Sequence, residues 1–310
     1  MKLNIIIDID SDRTRLDTMV SNVYPSCSRS CAALLINKGQ VLVNQTIKKP
    51  GYRVKTGDAI TGTIPKRKTE PCIRPQHINL DILFEDSDIL VINKQAGLVV
   101  HPTPVNLADT LVNALLYHDP EIQKTSQDQF RSGIVHRLDK DTSGLMVVAK
   151  TAHALDFLQK EFKHRRVEKR YLALIHGRMP EQKGQINLPI GRHPVNRKIL
   201  TIRPDDGKEA ITLWSVQKEF TDASLVEVLL KTGRTHQIRV HFYAMDHPLI
   251  GDQVYQPRRF RKKKSVAPRQ MLHSFFLGFR HPYSEKRMEF CIAPPEDFLW
   301  VQARLEQKSL

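Results

Sequence analysis

The stretch HRLDKDTSG, residues 136–144, places two carboxylates, Asp139 and Asp141, in one short segment with His136 and Arg137 just ahead of them. A carboxylate in such a setting serves as a nucleophile, a general base or a turn residue. The Asp-Thr-Ser-Gly string invites comparison with paired-aspartate proteolysis. That chemistry needs Gly directly after the Thr and a second loop, so that two carboxylates share one proton. This chain has one loop, with Ser143 in the Gly position. A serine hydrolase is excluded as well, because Ser143 lacks a Gly-x-Ser-x-Gly elbow. Asp141 precedes the apolar run GLMVVAK in an Asp-x-x-Gly pattern. It reads as a turn residue whose side chain accepts backbone N–H groups, with Gly144 letting the chain bend. Asp139 follows Leu138, a core anchor, and a carboxylate near a folded interior needs a cationic partner to stay ionised.

The elements around this loop are mostly strands. DILFED and DILVINKQ flank a tight acidic turn, and GLMVVAK reads as a buried strand. KRYLALIHG, EAITLWSVQKEF, SLVEVLLKTG and MLHSFFLGFRHP read as further strands. TLVNALLYH, HALDFLQKEFKHR, THQIRVHFYAM and PEDFLWVQARLE read as helices. Leu155, Leu158 and Phe162 face inward on the second of these, and Ile238, Phe242 and Met245 form a stripe on the third, with Arg239 at its margin. Helices fall irregularly among the strands rather than one per strand. The predicted class is therefore α+β, a small domain followed by a mixed, mainly antiparallel sheet over 80–305.

The small domain is predicted over 13–65. RTRLDTMVSNVY is a short helix with Leu16, Met19, Val20 and Val23 on one side, and SRSCAALLINKG a second, with Ser28 as N-cap, Ala32, Leu35 and Ile36 apolar, and Gly39 as stop. VLVN and YRVKTGDAITGTI follow as strands, turning at Gly57-Asp58. Arg13, Arg15, Arg29, Lys38, Lys48, Lys49, Arg53 and Lys55 decorate it. Residues 66–79 carry prolines and charges without periodicity and read as a linker. The basic run 258–269 lacks an apolar face and reads as a loop; with the basic charge balance of the whole chain, a nucleic acid is the partner on which it is expected to gain order, RNA being favoured.

The whole 310-residue chain has 48 Lys and Arg against 33 Asp and Glu, a formal charge of +15, which favours a polyanionic partner. The four cysteines, at 27, 31, 72 and 291, suggest no disulfide framework. Cys27, Cys31, Cys72 and His77 are the residues a zinc site would use, but their spacing is not that of metal ligands. A reducing, cytoplasmic setting is expected. The N-terminus lacks a signal peptide's long apolar core, and no stretch is long and apolar enough to span a bilayer.

Two resemblances draw these pieces together. RLD and SRS opening the two helices, then KGQVLVN and VKTGDAI, resemble the S4 RNA-binding domain. GIVHRLDKDTSGLMVVAK resembles the signature loop of the RluA class of RNA pseudouridine synthases, supported in order by NKQAGLVVHP, RRVEKRYLALIHG, KTGRTHQIRVHF, HPLIGDQVY and RQMLHS. HPTPVN at 101–106 departs from that class, which more often has a glycine-richer stretch there.

The resemblance implies isomerisation of uridine within RNA, with no cofactor and no metal, and large-subunit ribosomal RNA as the partner of the S4-bearing branch. Transfer RNA is the alternative substrate, and a silent RNA-binding assembly factor the alternative class. A nucleoside hydrolase would break the same bond but release free base. The resemblance makes Asp139 the catalytic carboxylate, either attacking C1′ or removing the C2′ proton. Arg239 becomes its ion-pair partner. Tyr171 becomes the residue that stacks on the base and takes the C5 proton. Arg137 becomes the residue that enters the RNA, supported by His136. Arg13, Arg15, Arg29, Lys38, Lys48 and Arg53 are the expected phosphate contacts. A monomer is expected.

Overall fold

The computed structural model describes residues 2–24, 27–64, 73–103, 106–196, 199–257 and 267–309. The chain forms two compact units, Met1–Cys72 and Ile73–Leu310.

In the first unit, α1 (Leu16–Val23) and α2 (Arg29–Asn37) pack on a small antiparallel sheet of β1 (Lys2–Ile6), β2 (Val41–Val43) and β3 (Ala59–Thr63), ordered β1-β3-β2. Ser28 caps α2 by accepting the Cys31 N–H at 3.3 Å. Gly39, at φ +68, ends it. Ala32, Leu35 and Ile36 are buried against Leu16 and Val20 as expected. Three expectations differ. Val23 is 41% exposed, whereas Asp17 is buried as the partner of two arginines. The YRV part of the predicted strand makes only one bridge, Arg53 to Arg15, so the strand begins at Ala59. And β1, ahead of the predicted 13–65, pairs along β3.

The second unit is built on a sheet of nine strands. Its strands are β4 (Asp81–Glu85), β5 (Ile89–Lys94), β6 (Ser143–Ala149), β7 (Glu168–His176), β8 (Lys183–Asn187), β11 (Ile211–Glu219), β12 (Ala223–Leu230), β13 (Leu272–Arg280) and β14 (Arg287–Cys291). The order is β4-β5-β6-β13-β7-β12-β11-β8, with β14 on β13. All pairs are antiparallel except β6 with β13. A separate ribbon joins β9 (Ile190–Arg192) to β10 (Leu200–Ile202). The short β8, β9, β10 and β14 carry too few apolar residues for the sequence to have marked them.

Residues of β6 alternate between two cores, which explains its unbroken apolar run. Met146 and Val148 face the core shared with α3 (Leu111–His118) and α5 (Gln237–Ala244). Leu145, Val147 and Ala149 face α4 (Ala152–Lys163) through Leu155 and Leu158. The closing helix α6 (Glu296–Gln307) buries Phe298 and Val301. Of the predicted linker, 66–72 lie outside the described residues. From Ile73 the chain is already held: Ile73 is buried in the first core, and the Asn113 side-chain amide donates to the Arg74 carbonyl at 2.8 Å.

Gly144 marks the one close backbone contact that the loop of interest requires. Its φ is +117, and a Cβ there would sit 2.2 Å from the Ser274 carbonyl oxygen of β13. Gly144→Ala is therefore expected to lower unfolding stability by about 3 kcal/mol, read as a shift in urea midpoint. An unchanged midpoint would show that β6 and β13 can part there without cost.

Candidate active site

The loop 136–142 leads into β6 and is gripped from behind through its main chain. The buried Lys94 ammonium, at the end of β5, donates to the carbonyls of Gln95 (2.8 Å), Leu98 (3.0 Å) and Lys140 (3.0 Å). Burial pulls its pKa down to about 7, against the opposing pull of Asp141. Arg269 donates to the Asp141 carbonyl at 3.0 Å while forking onto Asp297 at 2.7 and 2.8 Å. The basic run expected to gain order on RNA thus ends on a buried arginine; its residues 258–266 lie outside the described residues. The turn itself closes through the Thr142 N–H donating to the Asp139 carbonyl, 3.1 Å. Asp141 contributes its main-chain carbonyl rather than the expected side-chain oxygen.

Asp139 faces a cavity of about 470 Å³, within the range of small-molecule sites, about 300–1,000 Å³. Its side chain is 14% exposed, and its Oδ2 accepts from Arg239 Nη1 at 2.9 Å. Arg239 is shared. Its Nε and Nη2 fork onto Asp252 at 2.6 and 3.0 Å. Asp252 is fully buried and also accepts the N–H groups of Val254 and Tyr255 at 2.8 and 2.9 Å. Burial by itself would pull the Arg239 pKa down, but the two carboxylates outweigh it and push it above its usual value. Burial would raise the Asp252 pKa, and Arg239 outweighs it in turn. Next to Asp252, Gly251 (φ +81) lies against the Arg269 backbone, where a Cβ would sit 1.9 Å from the carbonyl oxygen.

α5 differs from its prediction in a way that matters here. All six residues from Gln237 to Phe242 are buried, so Arg239 lies inside the protein and not on a margin. Met245, expected in the stripe, is 39% exposed because the helix stops at Ala244. Ahead of the helix, His236 adopts φ +54, and its Nε2 lies 3.7 Å from Asp139 Oδ1.

Tyr171, on β7, lines the same cavity, paired in register with Ser274 of β13. Burial pushes its phenol well above the ordinary range, so it stays protonated and is a poor proton acceptor. Arg137 is exposed on the cavity wall. His136 is committed elsewhere: its Nε2 accepts the Val147 N–H at 3.1 Å, and its ring stacks on Phe162 at 4.7 Å. Burial lowers its pKa to about 3, which leaves it a neutral prop for the loop.

In the first unit the expected phosphate contacts divide. Arg15 and Arg29 both pair with Asp17, at 2.8 and 3.3 Å, and Arg53 Nη1 donates to the Arg13 carbonyl. Lys48 lies over the Tyr52 ring. Arg13 and Lys38 point outward.

Among the described residues, one trio has metal-ligand proximity, Asp86, Asp88 and His281. It is a turn clasp, with His281 bonded to Asp86 at 2.8 Å, and none of the three lines the cavity. Of the candidate zinc ligands, Cys27 is buried, Cys31 exposed, His77 packs edge-on to Tyr117, and Cys72 lies outside the described residues.

Comparisons with known proteins bear on this arrangement. The model of the RNA pseudouridylate synthase family matches residues 88–244, and that of the S4 domain residues 14–60. A protein of Aquifex aeolicus named an uncharacterized RNA pseudouridine synthase is 39% identical, over 100% of both chains. The ribosomal large subunit pseudouridine synthase D of Blochmanniella floridana is 39% identical, over 98% of each chain. Among solved structures, human RNA pseudouridylate synthase domain containing 1 aligns with a TM-score of 0.56 and 31% identity, covering 70% of this chain and 84% of that one.

Proposed function

Because the chain belongs to the RNA pseudouridylate synthase family, and so isomerises uridine to pseudouridine in RNA, we propose that its substrate is large-subunit ribosomal RNA and that Asp139 is the group that reacts. The observation that carries the second part is the division of Asp139 in the cavity that Tyr171 also lines: Arg239 holds Oδ2 at 2.9 Å and makes no hydrogen bond to Oδ1. The first part rests on the S4 domain and on relatives such as the Blochmanniella floridana enzyme.

In the reaction the N1–C1′ bond breaks, the uracil keeps its electron pair and turns, and C5 bonds to C1′. The C5 proton leaves and N1 takes one up, so composition is unchanged. Asp139 takes part as a nucleophile at C1′ or as the base that removes the C2′ proton. Tyr171 is assigned the stacking role on the base. A uridine in a folded RNA leaves its stack to enter, at a cost of a few kcal/mol. Cations along the cavity are placed to offset that cost at the phosphates: Arg137, Lys163, Lys231 and Arg234. A ribosomal RNA substrate would place the enzyme in the cytoplasm, and we read it as acting alone, a state that sedimentation would measure.

The test is pseudouridine mapping of total RNA from cells with and without the gene. Sites lost from large-subunit ribosomal RNA and restored by the wild-type gene are expected. Losses confined to transfer RNA would replace the substrate, and release of free uracil would replace the reaction.

The first unit adds affinity rather than chemistry in this reading. Arg13→Gln with Lys38→Gln is expected to weaken ribosomal RNA binding and flatten its salt dependence, by about one unit of log–log slope for each phosphate no longer neutralised. Filter binding across salt concentrations measures this. An unchanged slope would remove these two side chains from the RNA surface.

A further inference from the structure

We propose that His236 is a positioning residue for the reaction: its Nε2–H is aimed at Asp139 Oδ1, the oxygen that Arg239 leaves open, and Tyr255 fixes it in that tautomer. The inference rests on the reading of Asp139 as the reacting carboxylate.

Tyr255, which sets the tautomer, is buried. Its hydroxyl oxygen accepts the Leu200 N–H at 3.0 Å and lies 2.9 Å from His236 Nδ1. A buried hydroxyl proton needs an acceptor, because an unmatched one costs as much as a broken hydrogen bond or more. His236 Nδ1 is the acceptor that the geometry offers. If the imidazole instead donated from Nδ1, the Tyr255 proton would be left without one. The chain of bonds therefore runs from the Leu200 N–H to the Tyr255 oxygen, then from the Tyr255 O–H to Nδ1. The ring proton is left on Nε2, which lies 3.7 Å from Asp139 Oδ1.

Two further features fit a positioned ring. His236 is held at φ +54, a left-handed conformation that His, like Asn and Asp, adopts more readily than other side chains, and its side chain makes no capping bond to α5. Burial lowers its pKa against the opposing pull of Asp139, so the ring is uncharged at neutral pH. An uncharged donor orients the carboxylate without competing with Arg239 for its charge. At 3.7 Å the contact is longer than a hydrogen bond, and catalytic hydrogen bonds commonly tighten only when substrate closes the site.

The test uses the full-length protein and large-subunit ribosomal RNA transcribed with 5-tritiated uridine, with kcat and KM from tritium release. His236→Ala is expected to lower kcat about ten- to hundredfold with little change in KM. Two replacements separate donation from structure. Gln carries an N–H near the place of Nε2, whereas Asn imitates Nδ1 and suits the left-handed backbone. If His236 acts as a donor, His236→Gln recovers most of kcat and His236→Asn does not. If it serves only the turn and Tyr255, His236→Asn is the better enzyme, and that result would overturn the proposal. Tyr255→Phe is expected to lower kcat by less than His236→Ala, because the tautomer is freed and the ring remains.

A second readout needs no active variant. Nitrogen-15 NMR of the wild-type imidazoles, with His236 assigned by its absence from the His236→Gln spectrum, reports the tautomer. Protonation at Nε2 supports the proposal and protonation at Nδ1 sinks it. A wild-type protein that released no tritium would count against the proposed reaction, and the NMR result would still decide the tautomer.

Discussion

Asp139→Asn is expected to abolish pseudouridine formation, a loss of about a thousandfold or more, while the protein stays folded and still binds ribosomal RNA. The amide keeps the side chain's shape but is neither a competent nucleophile nor a useful base. Folding survives because Arg239 retains its two-pronged pair with Asp252. RNA affinity survives because phosphate contacts supply most of it. Asp141→Asn is the matched control. Its loop contact is made by a main-chain carbonyl that the substitution leaves in place, so its rate should stay within a few-fold of wild type. Tritium release from 5-labelled uridine reads the chemistry, and filter binding the affinity. Robust release by Asp139→Asn would mean that the wrong carboxylate has been chosen.

Arg239 carries the second large effect, and it has two parts that can be measured separately. One guanidinium serves two carboxylates through three N–H groups. Lysine, a point charge without that fork, cannot reproduce the arrangement. Arg239→Lys is expected to lose activity about a hundredfold or more while folding. Arg239→Ala also strands the buried Asp252, at a cost of about 3–5 kcal/mol in unfolding stability. Joining Arg239→Met to Asp252→Asn removes both buried charges and keeps an oxygen for the Val254 and Tyr255 N–H groups, so stability should largely return and activity should not. If the double variant regained activity, Arg239 would act only as a structural brace. Wild-type rates for Arg239→Lys would show that any cation suffices.

The residues proposed to act are recognisable in the sequence far better than the residues that hold them. Asp139 stands out because a charged loop abuts an apolar strand, and the family resemblance brings in Tyr171 and Arg239 through motifs of their own. Asp252 does not, because an Asp after Gly251 reads as an ordinary turn residue and its partner lies across the fold. Lys94 ends an apolar strand and Arg269 closes a basic run. By composition both look like solvent-facing charge, and only the fold brings main-chain carbonyls and Asp297 to them. His236 is hidden for the same reason, since nothing local ties it to Tyr255. The helices are readable where one face is apolar, as with Ala32, Leu35 and Ile36. The stripe on α5 misleads because that helix is enclosed from Gln237 to Phe242 and ends before Met245.

β13 is the strand between β6 and β7, yet it follows both in the chain, as well as β8 to β12. A ribosome making this protein extrudes β6 and β7 long before anything can lie between them. Until residue 280 has emerged, each keeps an unpaired edge of the kind that recruits stray strands. Arg269 and Ser274, which seat the loop of Asp139, arrive in the same late stretch. The S4 module, by contrast, is contiguous and complete once β3 is out. Vectorial synthesis thus delivers an RNA-binding chain first and an isomerase only after β13 has slotted into its gap.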